Sequence, residues 1–262
     1  SASRRLKGKE ETTLAQPLLQ VQGLTMRFGG LLANHDVTFD IYPGEIVGLI
    51  GPNGAGKTTL FNCISGFLQP TEGSVVFKGE NIAGLKPHQI CHRGLVRTFQ
   101  ITQPLRDMTV LENVMVGAFA RHPQTGQARK KAMEILEVTG LWPKRDRMGS
   151  ELTIPDRKRL EIARALGAEP DLLILDEAMA GLTPTEVQQA TDLVRNIQAQ
   201  GTTLFIIEHV MEAIMPIADR IVVLDAGRLI AEGPPSEIVR NERVIQAYLG
   251  EGRHAKRKEH SS

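Results

Sequence analysis

The sequence has little cysteine, almost no net charge and no long apolar run. Its two cysteines, Cys63 and Cys91, lie far apart in the 262 residues. They fit no metal-ligand spacing and suit a reducing compartment. Lys and Arg total 31 against 30 Asp and Glu, a formal net charge of +1, so no global basic field points to nucleic acid. No apolar run approaches the roughly 20 residues that span a bilayer. No signal-peptide pattern is visible, and the expectation is a soluble, cytoplasmic chain. Positive charge gathers locally at the two ends, Ser1 to Lys9 and Arg253 to Lys258. Disordered tails over 1–16 and 251–262 are expected there, with a weak contact to anionic lipid as the alternative.

What is present is an ordinary globular composition, 41% hydrophobic and 23% charged. The chain is organised around Gly51-Pro52-Asn53-Gly54-Ala55-Gly56-Lys57-Thr58-Thr59, a complete G-x-x-x-x-G-K-[ST] loop. An apolar run, Glu45 to Ile50, reads as a buried strand before it, and Thr58 to Ser65 reads as a helix after it. A phosphate-binding loop requires that context. Its glycines let successive backbone N–H groups face one phosphate cluster, and the helix adds its positive end. Lys57 is placed to reach the β- and γ-phosphates, and the Thr58 hydroxyl to bind Mg²⁺.

Upstream, Leu18 to Phe28 and Ala33 to Tyr42 read as two antiparallel strands joined at Gly29-Gly30. Phe28 at the strand end suits either core packing or stacking on a purine ring. Downstream, Gly94 to Phe99 reads as a strand delivering Gln100. Thr109 with Glu112 forms a capping box for a helix whose apolar residues recur from Val110 to Phe119. A second helix spans Gln127 to Thr139, with Met133, Leu136 and Val138 as inward candidates and Gly140 as its stop. The largely helical stretch interrupts an α/β pattern, so an inserted helical subdomain is expected over about 101–167.

The α/β pattern resumes at Leu172 to Asp176, a strand buried on both faces that ends in two acids. Asp176 suits Mg²⁺ binding through water, and Glu177 suits polarising a water in line with the γ-phosphate. Thr202 to Ile207 reads as another buried strand, ending in Glu208-His209. His209 fits a satisfied interior residue, or a functional one in register with Asp176 and Glu177.

This ordered set resembles the nucleotide-binding subunits of ABC transporters over about Pro17 to Gly250. Phe28-Gly29-Gly30-Leu31-Leu32-Ala33, Val96-Arg97-Thr98-Phe99-Gln100, Arg159 to Arg164 and Val244 to Gly250 are similar to the ATPases of branched-chain amino acid importers. The resemblance implies one α/β cassette over 17–250: a P-loop NTPase (RecA-like) core, an N-terminal antiparallel β subdomain and the inserted helices. It implies ATP and Mg²⁺ as cofactors. Partners implied are a second ATPase subunit, two transmembrane permease subunits and, indirectly, an extracytoplasmic solute-binding protein. The implied location is the inner face of the plasma membrane. Phe28 then stacks on adenine with Ala33 beneath the base, and Gln100 touches Mg²⁺ and senses the γ-phosphate. Glu177 is the catalytic carboxylate, and His209 contacts the γ-phosphate. Ala180 to Thr183 takes a position where the last residue is often Asp. Import of urea or amides, lipopolysaccharide export, and a soluble ABC ATPase are the alternatives.

One segment departs from the family pattern. Where a Leu-Ser-Gly-Gly-Gln signature is usual, this chain has Leu152-Thr153-Ile154-Pro155-Asp156. Thr153 keeps a hydroxyl. Ile154 replaces a glycine that must approach phosphate closely, Pro155 has no N–H, and Asp156 adds negative charge. In this family each ATP lies between one chain's P-loop and the other's signature. The expectation is therefore a heterodimer in which this chain's P-loop site is strong and the site borrowing Leu152 to Asp156 is weak, with a homodimer as the alternative.

Overall fold

The computed structural model describes residues 16–98 and 105–249. Gln100 and the expected tails over 1–16 and 251–262, save residue 16, lie outside the described residues. Two sheets frame the molecule. β1 (Leu19–Phe28) and β2 (Leu31–Ile41) form the expected antiparallel hairpin. β4 (Glu72–Phe77) and the short β5 (Glu80–Asn81) complete a four-stranded antiparallel sheet ordered β2-β1-β4-β5. In the sequence, Gly79 to Gly84, which contains β5, reads as a turn. Two residues are too short a run to carry a strand periodicity.

The second sheet contains β3 (Ile46–Ile50), β6 (Leu95–Arg97), β7 (Leu172–Asp176), β8 (Thr203–Ile207), β9 (Arg220–Asp225) and β10 (Arg228–Gly233). Its order is β10-β9-β3-β8-β7-β6, parallel except for β10 on β9. Every residue of β3, β7 and β8 is buried, as strands covered on both faces require. Asp176 pairs with Ile207 across β7 and β8, and Leu49 pairs with the same Ile207 from β3. That register brings the loops after all three strands to one sheet edge.

Helix α1 (Lys57–Ile64) packs between the sheets. There Phe61 and Phe39 both meet Phe205, with ring centroids 4.6 and 5.6 Å apart. After it come α2 (Pro87–Arg93), α3 (Val110–Ala118), α4 (Thr125–Val138), α5 (Ile154–Gly167), α6 (Pro184–Ala199), α7 (Met211–Ile214) and α8 (Pro235–Ile238). Residues 242–249 form a last helix, α9. A separate core of α3, α4 and α5 gathers Val114, Ile135, Leu136 and Leu160. Two glycines allow α3 and α5 to touch. A Cβ on Gly117 would sit 1.9 Å from the Arg164 carbonyl, and one on Gly167 would sit 2.6 Å from the Ala118 nitrogen. Thr109 caps α3 with Glu112 as expected. Asn113 is fully buried and holds the turn before α3 by donating to the carbonyls of Leu105, Met108 and Thr109.

One expectation for α4 fails. Met133 faces solvent, and the inward stripe is Ala128, Ala132, Ile135 and Leu136. These recur at helical spacing on one face, which Met133 and Val138 do not share with Leu136.

Candidate functional site

The loop between β3 and α1 must bend sharply against β2 and β9. Gly56 has φ +96°, and a Cβ there would meet the Ala33 carbonyl at 2.4 Å. Asn34, fully buried, reaches the Gly56 carbonyl at 3.2 Å. Helix α1 starts with no side-chain cap and no acidic residue in its first turn. An uncapped helix start of this kind suits an anion. The Lys57 ammonium folds back over the loop, donating to the carbonyls of Gly51 (2.6 Å) and Pro52 (2.9 Å).

A cleft of about 540 Å³ opens above this loop. Phe28, 44% exposed, and Ala33 line its β1–β2 side, Asn53 to Thr59 its floor, and Glu177 and His209 its far wall. The structure thus brings these sequence-chosen residues together. Gly51 and Pro52 sit behind the floor, buried.

Glu177 follows β7 with φ +52°. A non-glycine residue takes that conformation at a cost of about 1–3 kcal/mol. Its carboxylate lies 2.8 Å from His209 Nε2. Asp176 turns away from the cleft. Its carboxylate, almost fully buried, accepts from the Arg97 guanidinium at 2.6 Å, and Arg97 also reaches Asn62 on α1 and Ser65 just after it. Sequence reasoning missed Arg97 as a partner, although a cation inside a buried β6 was a visible signal.

The exposed Thr58 hydroxyl and the Asp176 carboxylate are hard oxygen donors. No cluster of three or more His, Cys, Asp or Glu side chains gathers among the described residues. Thr58 fits a Mg²⁺ that takes most of its ligands from phosphate and water, and the Asp176 carboxylate, held by Arg97, would reach such an ion only through water.

Leu152 to Asp156 lies apart from the cleft lining, at the start of α5. Leu152 is buried in the helical core and Ile154 is 64% exposed. Thr153 caps α5: its hydroxyl takes the Asp156 N–H and donates to the Asp156 carboxylate at 2.7 Å. Lys144 reaches the same carboxylate at 2.5 Å. Burial pushes the Asp156 pKa up, but hydrogen bonds from Lys144 and Thr153 and the charges of Lys144 and Arg159 bring it below the usual carboxylate range. The negative charge seen in the sequence is therefore answered within the chain. Thr183 has a local role too, capping α6 in a box with Glu186.

Comparison with known proteins agrees with this geometry. The ABC transporter family profile matches residues 34–180. The chain belongs to the ABC transporter family, as an ATP-binding, ATP-hydrolysing subunit. Within it, the profile of the branched-chain amino acid ATP-binding cassette transporter matches residues 228–254. The chain is 44% identical to the high-affinity branched-chain amino acid transport ATP-binding protein LivG of Escherichia coli, over 91% of this chain and all of LivG. It is 42% identical to BraF of Pseudomonas aeruginosa, over the same shares. Among solved structures it is similar to the ADP conformation of MJ1267, an ATP-binding cassette of an ABC transporter. The TM-score is 0.83 at 33% identity, covering 90% of this chain and all of that one.

Proposed function

We propose that this chain powers uptake of branched-chain or closely related amino acids by hydrolysing Mg²⁺-bound ATP against two permease subunits. The likeness to LivG and BraF along nearly the whole chain carries the choice of solute. The cleft shared by the loop, Glu177 and His209 carries the chemistry.

In this reading Phe28 stacks on the adenine and Ala33 lies beneath it. Backbone N–H groups of Gly54 to Thr59 and the α1 N-terminus hold the phosphates. Lys57 exchanges its two loop carbonyls for phosphate oxygens. Thr58, Asp176 and Gln100 serve Mg²⁺, which neutralises phosphate charge when bound. Glu177 polarises the attacking water, and His209 fixes the Glu177 carboxylate and contacts the γ-phosphate. The cassette runs over 17–250, with 101–167 as its helical subdomain.

No helix among the described residues is long and apolar enough to cross a membrane. Membrane contact therefore falls to a surface. The groove between α2, β6, α3 and α5, about 370 Å³ and lined by Phe67, Val96, Val116 and Ala120, is the surface we assign to a permease. A second ATPase subunit completes the assembly on the cytoplasmic face of the membrane. The start of α5 favours a different chain as that subunit. Pro155 has no N–H, and the Asp156 N–H is turned to Thr153.

The test is uptake of labelled leucine and urea by cells carrying this chain or its Lys57→Ala variant. Leucine uptake that falls at least tenfold in the variant, with urea uptake unchanged, supports the reading. Unchanged leucine uptake contradicts it.

A further inference from the structure

Lys158 belongs to α5, in the helical layer, yet its side chain crosses to the catalytic edge of the parallel sheet. Its ammonium donates to the carbonyls of Ala180 (2.6 Å) and Glu177 (3.2 Å). From the other side Glu208, the last residue before His209, accepts the Met179 N–H at 2.7 Å. The turn 177–180 is thus gripped twice, by a cation on its carbonyls and a carboxyl group on an amide.

The turn needs such a grip. Glu177 sits in the left-handed region, and a residue stays there only when its surroundings over-determine it. The carboxylate direction follows from that backbone, and it ends 2.8 Å from His209 Nε2. Neither Lys158 nor Glu208 lines the nucleotide cleft. Both are costly groups to keep where they are. Glu208 is 1% exposed, and its second oxygen has no partner. Burial pushes its pKa up to about 7, against the pull of the Met179 and His209 amides and of Lys158. Burial likewise lowers the Lys158 pKa, opposed by Glu208, Glu161 and Glu177. A polar pair kept inside a fold at such cost is well placed to fix one conformation.

We propose that Lys158 and Glu208 are positioning residues that hold the 177–180 turn so that the Glu177 carboxylate faces the cleft. Because Lys158 is carried by α5, the aim of Glu177 depends on where that helix sits. Movement of the helical layer then reaches the hydrolytic carboxylate within one chain, without passing through the nucleotide. The inference rests on Glu177 being the hydrolytic carboxylate.

The test uses the full chain as Lys158→Met, Lys158→Arg and Glu177→Gln, with the second ATPase subunit of the transporter present wherever turnover is read. The first readout is hydrogen exchange in peptides over 177–183, and the second is ATP turnover. Lys158→Met should exchange at least tenfold faster there, with the loop 51–59 unchanged. Its kcat should fall at least tenfold with KM for ATP within twofold, and Lys158→Arg should restore both. Wild-type exchange over 177–183 in Lys158→Met overturns the proposal, as does wild-type turnover. Should Lys158→Met not fold, Glu208→Leu carries the test. This change removes the acceptor of the Met179 N–H and should speed exchange in the same peptides at least threefold, and wild-type exchange there is again the contrary result. Full turnover in Glu177→Gln would remove the assigned role of Glu177 while leaving the exchange result standing, so the two failures are distinguishable.

Discussion

The Lys57 ammonium lies against two carbonyls of its own loop rather than pointing into solvent. Those contacts keep a buried cation satisfied, and in the proposed reading phosphate oxygens replace them. Removing it takes away charge-assisted hydrogen bonds worth about 1.5–3 kcal/mol. Lys57→Ala should therefore weaken ATP binding at least tenfold in calorimetry while leaving the fold intact. Gly56 is bound by sterics, since φ is +96° and a Cβ would strike the Ala33 carbonyl. Gly56→Ala should lower stability by about 1–3 kcal/mol in denaturant melts and distort the loop. A variant as stable as the parent would show that the loop yields there.

These loop residues were legible in the sequence because they are contiguous, and their glycines and lysine answer to local geometry. The partners of the acids were not. Arg97 meets Asp176, and Glu208 meets Met179, across strands that lie far apart in the chain. Only the sheet order β8-β7-β6 brings them together. His209 could be read two ways in the sequence, and the parallel register decides its place beside Glu177. Gln100, prominent in the motif order, lies outside the described residues.

At the scale of elements, α5 combines three roles. It caps itself at Thr153, packs against α3 through glycines, and sends Lys158 to the sheet edge. Thr153→Ala should cost about 1 kcal/mol in urea melts, the usual worth of a lost N-cap. Further along, Glu161 is 8% exposed at the edge of the apolar groove, with Arg164 as a distant 3.9 Å partner. Burial raises its pKa to about 7 from 4.5, against the opposing charges of Arg164 and Lys158. A carboxyl group with a raised folded pKa stabilises the fold below its unfolded pKa. That stability is lost as pH rises through the folded value. Glu161→Gln should therefore gain about 1–3 kcal/mol relative to the parent between pH 4.5 and pH 8. A difference between the two proteins that stays flat across that range would contradict the burial argument.

At the scale of the whole molecule, the chain is asymmetric. Its cleft gathers Phe28, Ala33, Asn53 to Thr59, Glu177 and His209 along its walls, with Gly51, Pro52 and the inward-turned Asp176 behind them. Its α5 start, by contrast, is closed on itself by Thr153, Asp156 and Lys144. In the proposed reading such a chain completes a dimer best with a partner whose own signature segment is open. The most direct test is sedimentation of purified Glu177→Gln with ATP and Mg²⁺, alone and with a second ATPase subunit from the same transporter. This variant should bind ATP without consuming it and so hold any closed dimer. The account predicts a monomer alone and a dimer only with the second subunit. A stable ATP-dependent homodimer would contradict it, because Leu152 to Asp156 would then be a working signature.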